Sequence, residues 1–314
     1  MRTAIRGIHH VTAIAGDPQA NVDFYTGPLG LRLVKQTVNF DDPTTWHLYY
    51  GDAHGTPGSV LTFFPFVGAR RGQPGAGQVT ETAFAVPEAA LGFWVDRLQA
   101  ARLDPVVTDT EPDRPTTVRF RDPDGLPLSL VATPAGAAER MTPWPTADVA
   151  EHQAIRGFHG VRMAVLDVAA SRAMLVDQLG FADRTAPGGP TRVEGADGGP
   201  GTFVELEGGP GMARGLPGAG TVHHVAFRVA DDADQLAWRE HVAATTPHVT
   251  PVADRQYFRS IYFREPGGVL YELATDGPGF TVDEAPEVLG SALRLPPWFE
   301  PRRTAIEAGL PPIR

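Results

Sequence analysis

The chain repeats itself. Residues 5–8 read Ile-Arg-Gly-Ile and residues 155–158 read Ile-Arg-Gly-Phe, and the match continues without a gap at an offset of 150 residues. His9 falls on His159, Val11 on Val161, Asp17 on Asp167, and Leu29-Gly30-Leu31 on Leu179-Gly180-Phe181. A second offset, 143 residues, lays Phe120-Arg121-Asp122-Pro123-Asp124-Gly125 on Phe263-Arg264-Glu265-Pro266-Gly267-Gly268, and Ala83-Phe84 on Ala226-Phe227. Together the offsets divide the chain into four copies of one unit, starting near residues 5, 79, 155 and 221. A repeat constrains a fold strongly, because each copy must adopt the same local structure and bury its open faces against another copy.

Each copy carries one pattern. It opens on a short alternating segment, such as Val222-His223-His224-Val225-Ala226-Phe227-Arg228-Val229, which predicts a strand. An amphipathic helix follows, near 87–101, where Leu91, Val95 and Leu98 are spaced by four and three, and again near 167–179. Short strands come next, and in the second and fourth copies an Asp/Glu-Pro-x-Gly turn precedes the last of them. The expected fold is therefore α+β, with four βαβββ modules in curved mixed sheets. Two modules (about 5–66 and 79–134) lie in residues 1–150. Two more (about 155–208 and 221–275) lie in residues 151–314, followed by a tail over 276–314. A single open sheet leaves faces and edges uncovered, so the modules are expected to pair.

Strand alternation then sorts side chains into faces. In the fourth copy His223, Val225, Phe227 and Val229 share an apolar face expected to lie under the helix, while His224, Ala226 and Arg228 face the concave side. In its last strand Val269, Tyr271 and Leu273 are apolar and Glu272 projects opposite. Each module so offers two concave positions: His10 and about Thr62 in the first, Glu81 and Ser129 in the second, Gly160 and about Glu205 in the third, His224 and Glu272 in the fourth. The first strand is mixed in character, but the repeat places His10 in phase with His224. Only pairing the first module with the fourth collects two histidines and a carboxylate. That set, with further positions open, is the facial arrangement of non-haem Fe(II) oxygenases.

Composition removes most other chemistries. With no cysteine, the chain has no thiolate metal site, iron–sulfur cluster or cysteine nucleophile. Its one lysine, Lys35, stands between Val34 and Gln36, so there is no Gly-Lys-Ser/Thr phosphate loop. No serine sits in a Gly-x-Ser-x-Gly elbow. A net charge of −10 argues against nucleic-acid partners. No apolar run is long enough to span a membrane, and the N-terminus lacks an apolar signal core, so a cytoplasmic protein is expected. His47, Trp46 and Tyr49 are candidates for the wall of a substrate pocket.

The chain resembles the vicinal oxygen chelate superfamily, which includes glyoxalases, extradiol dioxygenases and bleomycin-resistance proteins. Within it the likeness is to hydroquinone-type ring-cleaving dioxygenases. It is carried by Ile8-His9-His10-Val11-Thr12, Lys35-Gln36-Thr37-Val38-Asn39-Phe40-Asp41-Asp42-Pro43, and His47-Leu48-Tyr49-Tyr50-Gly51-Asp52. Further on it is carried by Asp254-Arg255, by Tyr262 through Gly268, and by Gly279-Phe280-Thr281-Val282-Asp283-Glu284 and Leu295-Pro296-Pro297-Trp298. The resemblance implies Fe(II), with Mn(II) as the other ion the set could take, on His10, His224 and Glu272. It also implies supporting residues at His9, Arg255 and Tyr262, with His9 as a proton shuttle. Strand phase alone puts His9 on the helix side, at odds with that role. Catechol-type enzymes of the superfamily draw their first ligand from the third module, where this chain has Gly160.

The function so implied is opening of a dihydroxylated aromatic ring, hydroquinone-type or catechol, by dioxygen to a semialdehyde acid. The partners would be a small aromatic diol and O2, with a homodimer allowed for. Two rivals share the fold: a glyoxalase-type metal-dependent isomerase or transferase, and a metal-free module that binds a drug or metabolite. Thr62 in the fourth position speaks against the first rival, and the complete His/His/Glu set against the second.

Overall fold

The structure, a computed structural model, describes residues 2–108, 115–137, 140–209 and 211–314. Four βαβββ units follow one another along it. The first holds β1 (Ile8–Ala15), α1 (Pro18–Thr26), β2 (Arg32–Asn39), β3 (Asp42–Gly51) and β4 (Val60–Pro65). The second holds β5 (Gln78–Pro87), α2 (Leu91–Ala100), β6 (Val106–Thr108), β7 (Thr117–Arg121) and β8 (Pro127–Thr133). The third holds β9 (Phe158–Val165), α3 (Val168–Ala173), β10 (Ala182–Asp183), β11 (Thr191–Glu194) and β12 (Phe203–Gly208). The fourth holds β13 (Thr221–Val229), α4 (Asp232–Ala243), β14 (Ala253–Asp254), β15 (Arg259–Arg264) and β16 (Leu270–Thr275).

The repeated residues build the same local features each time. Asp17 and Asp167 are N-caps whose carboxylates accept the Ala20 and Ala170 amides, and Asp231 caps α4 in the same way. Such a cap contributes about 1 kcal/mol to its helix. The Asp/Glu-Pro-x-Gly turns are closed by their own carboxylates. Asp122 accepts the Leu126 amide at 2.8 Å, and Glu265 accepts the Gly267 and Val269 amides at 2.8 and 2.9 Å. Each turn is also tied to the preceding module, Asp122 by the Tyr25 hydroxyl at 3.0 Å and Glu265 by the Ser171 hydroxyl at 2.6 Å.

The modules pair one with four and two with three. One eight-stranded sheet runs β14-β15-β16-β13-β1-β4-β3-β2 and the other β10-β11-β12-β9-β5-β8-β7-β6. Each is joined at its centre by antiparallel first strands, β1 with β13 and β5 with β9. Buried Tyr25, Trp94, Leu175 and Phe227, one from each module, belong to a single apolar core.

At those central joints the register slips. Ile8 faces Phe227 but His10 faces Ala226, so His9 is an extra residue; Thr12 faces His224 but Ala13 faces Val222, so His223 is another. Thr80 and His159 are the corresponding extras in the second sheet. Each is a β-bulge immediately before a concave position. A bulge interrupts alternation, so two successive side chains are aimed to the same side. The helix-side placement expected for His9 and His223 is corrected by this.

The tail covers the β2 edge of the first sheet. Arg294 donates its amide to Gln36 O at 2.8 Å, and Gln36 Nε2 donates to Gly290 O at 2.8 Å. A Cβ at Gly290 would stand 1.8 Å from Leu33 O, so only glycine lets the tail approach this closely. Covering an edge removes its unpaired backbone groups from reach of other chains. No helix among the described residues is long and apolar enough to cross a membrane.

Candidate metal centre

Three strands converge on the concave face of the first sheet. His10 on β1 pairs with Ala226 on β13, which pairs with Glu272 on β16, so His10 and Glu272 share one row across the sheet. His224 lies two residues from Ala226 on the same face. Its Nε2 is 2.9 Å from Glu272 Oε2 and 3.4 Å from His10 Nε2, and His10 Nε2 is 3.3 Å from the same carboxylate oxygen. All three side chains are buried, Glu272 completely.

The bulge histidine His9 fixes the tautomer of His10. His9 Nε2 lies 3.1 Å from the carbonyl of Thr275, which only accepts, so that nitrogen carries the proton. His9 Nδ1 is then the acceptor for His10 Nδ1–H, 2.9 Å away, and His10 Nε2 is left as a bare lone pair. His223 Nδ1 stands 2.8 Å from His224 Nδ1 in the matching arrangement. Glu272 Oε1 is held by the Ser260 hydroxyl, while Oε2 is buried with no hydrogen bond of its own. An orphaned carboxylate oxygen facing imidazole nitrogens is costly unless a cation completes the set. The residues fit a divalent ion with nitrogen and oxygen ligands, each imidazole oriented by a hydrogen bond at its far nitrogen. His10, His224 and Glu272 are the metal-capable cluster among the described residues.

Burial opposes ionisation of the Glu272 carboxyl, but His10 and His224 outweigh it and hold its pKa well below the usual range. Burial, then His10, lowers the pKa of His9 to about 3, so its ring is neutral. Both His9 nitrogens are committed and the ring is not on the cavity wall. The ring stands behind His10, engaged by His10 at Nδ1 and by the Thr275 carbonyl at Nε2.

A cavity of about 340 Å3 opens in front of the three ligands and is walled by His47, Tyr49, Arg255, Phe258 and Tyr262, among others. Arg255 Nε donates to the Tyr262 hydroxyl at 3.2 Å, leaving that hydroxyl's own proton directed elsewhere. Arg255 also pairs with Asp41 at 3.0 Å, across the mouth from the β2–β3 hairpin. Burial, then Glu272, raises the Tyr262 pKa, so the phenol is neutral. His47 Nδ1 is 2.8 Å from the Tyr49 hydroxyl and its Nε2 is 2.9 Å from Thr62 Oγ1, which donates to Thr12 Oγ1 at 2.9 Å. The fourth concave position, Thr62, is thus engaged within the sheet.

Trp46 is not on this wall. Its indole donates to Pro311 O at 2.8 Å, beneath the tail. Residues 46 and 47 alternate across β3, so a strand that aims His47 and Tyr49 at the cavity must turn Trp46 away. His223 and Phe258 are cavity residues that sequence reasoning missed. The paired His-His doublets were the signal for His223. Phe258, whose ring centroid is 4.9 Å from that of His10, arrives from the segment between β14 and β15 and has no sequence signal.

Comparison with known proteins gives a consistent set of likenesses. The family model described as "Glyoxalase/Bleomycin resistance protein/Dioxygenase superfamily" matches residues 7–130 and 157–273. MhqO of Bacillus subtilis (strain 168), designated provisionally a ring-cleaving dioxygenase, is 46% identical over 307 residues, 98% of this chain and 96% of that protein. The chlorohydroquinone/hydroquinone 1,2-dioxygenase of Sphingobium indicum is 32% identical over 304 residues, 94% of this chain and 93% of its own. A crystal structure from Bacillus subtilis, of a protein provisionally designated a dioxygenase, superposes with a TM-score of 0.93 at 45% identity, covering 99% of this chain and 98% of the other. Glyoxalase I of Zea mays, at TM-score 0.63 and 15% identity, covering 86% of this chain and 92% of its own, shares the fold.

Proposed function

From the premise that this chain belongs to the glyoxalase/bleomycin resistance protein/dioxygenase superfamily, we propose that it is a ring-cleaving dioxygenase acting on a dihydroxylated aromatic. The single observation that carries the reading is the set of converging donors on His10, His224 and Glu272, opening on one cavity. The ion is Fe(II), with Mn(II) the other candidate, and the substrate is hydroquinone-type, opened with O2 to a semialdehyde acid. The name of the 32% identical relative supports the substrate class.

When bound, a redox-active divalent ion would lower the pKa of a coordinated phenol and bring diol and dioxygen together. The chain's own residues do the rest. His9 holds His10 in the tautomer that presents Nε2, and His223 contacts the far nitrogen of His224 and so orients its ring. Arg255 and Tyr262, joined at 3.2 Å, supply a fixed positive charge and an O–H donor where negative charge develops on oxygen during ring opening. Tyr49 and His47 add polar groups to the cavity lining, and Phe258 and Phe64 add flat apolar surface. Thr62, in the fourth position, supplies no second carboxylate, which disfavours the isomerase chemistry of the same fold.

Oxygen uptake by anaerobically Fe(II)-loaded protein, offered hydroquinone, methylhydroquinone or catechol beside a His10→Ala control, tests the reading. Metal-dependent uptake with hydroquinones, lost in His10→Ala, is expected. Uptake with catechol alone moves the substrate class, and no uptake despite bound metal overturns the dioxygenase assignment.

A further inference from the structure

Among the described residues that line the cavity, one carboxylate and one guanidinium stand beside the histidines: Asp41 and Arg255. They meet across the mouth, Arg255 Nη2 lying 3.0 Å from Asp41 Oδ2. Both are set in place by their own surroundings. Asn39 and Asp42 pair across the β2–β3 hairpin, so Phe40 and Asp41 form its two-residue tip, and the Asp41 amide donates to Asn39 Oδ1 at 3.0 Å. The tail pins that tip, because the Phe40 ring meets Trp298 edge-on with 5.6 Å between centroids. On the other side Arg255 enters a tight turn, in which Asp254 Oδ1 accepts the Gln256 amide at 2.8 Å and Gln256 takes a φ of +66°. Arg255 then reaches over Tyr262, its Cζ 5.3 Å from the ring centroid and its Nε on the hydroxyl at 3.2 Å.

The pair does little for stability. The Asp41 side chain is 74% exposed, and an ion pair with a member in solvent contributes little to folding. Its consequence is for what the cavity admits. The Arg255 side chain is only 20% exposed, and with Asp41 in contact its charge is matched before any ligand enters. An uncharged diol leaves that match intact. A ring that carries a carboxylate brings a second anion to a guanidinium already paired, so it must displace Asp41 or bear its repulsion. Repulsion of this kind lets a site reject one ligand without tightening its hold on another.

We propose that Asp41 is a specificity-determining residue: by occupying Arg255 at the mouth, it selects uncharged diols over diols that carry an acidic ring substituent. The proposal rests on the diol-binding reading of this cavity given above, and it names the residue that narrows the substrate class.

The test is anaerobic equilibrium dialysis of the Fe(II)-loaded full chain with (2,5-dihydroxyphenyl)acetate, with its uncharged amide of the same shape, and with hydroquinone. Without dioxygen nothing turns over, so binding alone is read. The measure is the ratio of the acid's Kd to the amide's, in which a loss common to both ligands cancels. The parent should bind the amide roughly tenfold tighter than the acid. Asp41→Asn should raise the acid's relative affinity by roughly tenfold, the worth of a charge-assisted hydrogen bond to the freed guanidinium. Asp41→Glu keeps the charge and should keep the parent's preference. Adding Arg255→Gln to Asp41→Asn should abolish the gain. Equal binding of acid and amide by the parent, the parent's ratio in Asp41→Asn, or a gain that survives Arg255→Gln would each overturn the proposal, while hydroquinone binding leaves the diol reading in place. Failure of hydroquinone to bind the loaded parent would overturn that reading and the proposal with it.

Discussion

Lys35, the chain's only lysine, is fully buried against the tail. Its Nζ donates to Phe280 O at 3.1 Å, to Asp283 Oδ1 at 2.5 Å and to Glu284 Oε2. Lys35→Met keeps the stem and removes the charge, leaving a fully buried Glu284 carboxylate without its main partner. Removing one member of a buried pair costs about 3–5 kcal/mol. Arg294 Nε, 3.2 Å from Glu284 Oε1, remains and places the loss at the lower end, about 3 kcal/mol. With an unfolding entropy of about 0.7 kcal/mol/K for a chain of this length, Tm should fall by roughly 4–5 °C. The loss reaches the cavity as well, because Asp283 Oδ2 accepts the Tyr257 hydroxyl at 3.0 Å and Tyr257 stands between Arg255 and Phe258. Calorimetry and urea unfolding of Lys35→Met, Glu284→Gln and the double variant form a cycle. A coupling of about 2 kcal/mol is expected, with the double variant more stable than the two single losses predict. Additive losses, or a Lys35→Met Tm within about 1 °C of the parent, would refute the view that this buried cluster holds the tail.

Three further perturbations follow from the same structure. His9→Phe removes the acceptor that orients His10, and should weaken metal affinity by about 10–100-fold in a chelator competition; unchanged affinity would take His9 out of that role. Tyr262→Phe should lower kcat by about 100-fold or more with little change in KM, and unaltered turnover would remove the phenol from the chemistry. Burial raises the Asp122 pKa to about 6 despite its hydrogen bonds, so the folded chain holds a proton that the unfolded chain has released. Stability should therefore fall as pH rises from about 4 to 6 and level off above, a loss of about 3 kcal/mol from this group. Asp122→Asn should flatten that slope in urea unfolding across the interval; a slope as steep as the parent's would assign it elsewhere.

Much of this molecule is legible along the chain because its determinants are local. The offsets of 150 and 143 mark the modules, and within them Asp17 and Asp167 are helix caps and Asp122 and Glu265 close turns. Each of these interactions spans a few residues, so it is written wherever the residues are. Counting concave positions also singles out His10, His224 and Glu272, since alternation along a strand is a local rule.

Tertiary structure decided what local rules cannot. An extra residue in a strand becomes a bulge only when a partner strand skips it, and that is what turns His9 and His223 toward their ligands rather than toward a helix. Phe258 reaches His10, Asp41 reaches Arg255 and the tail seals Lys35 across 248, 214 and at least 245 residues of chain, distances over which no periodicity carries. Alternation reports the face a side chain would take on an unbroken strand; the partner strand decides where the strand is broken.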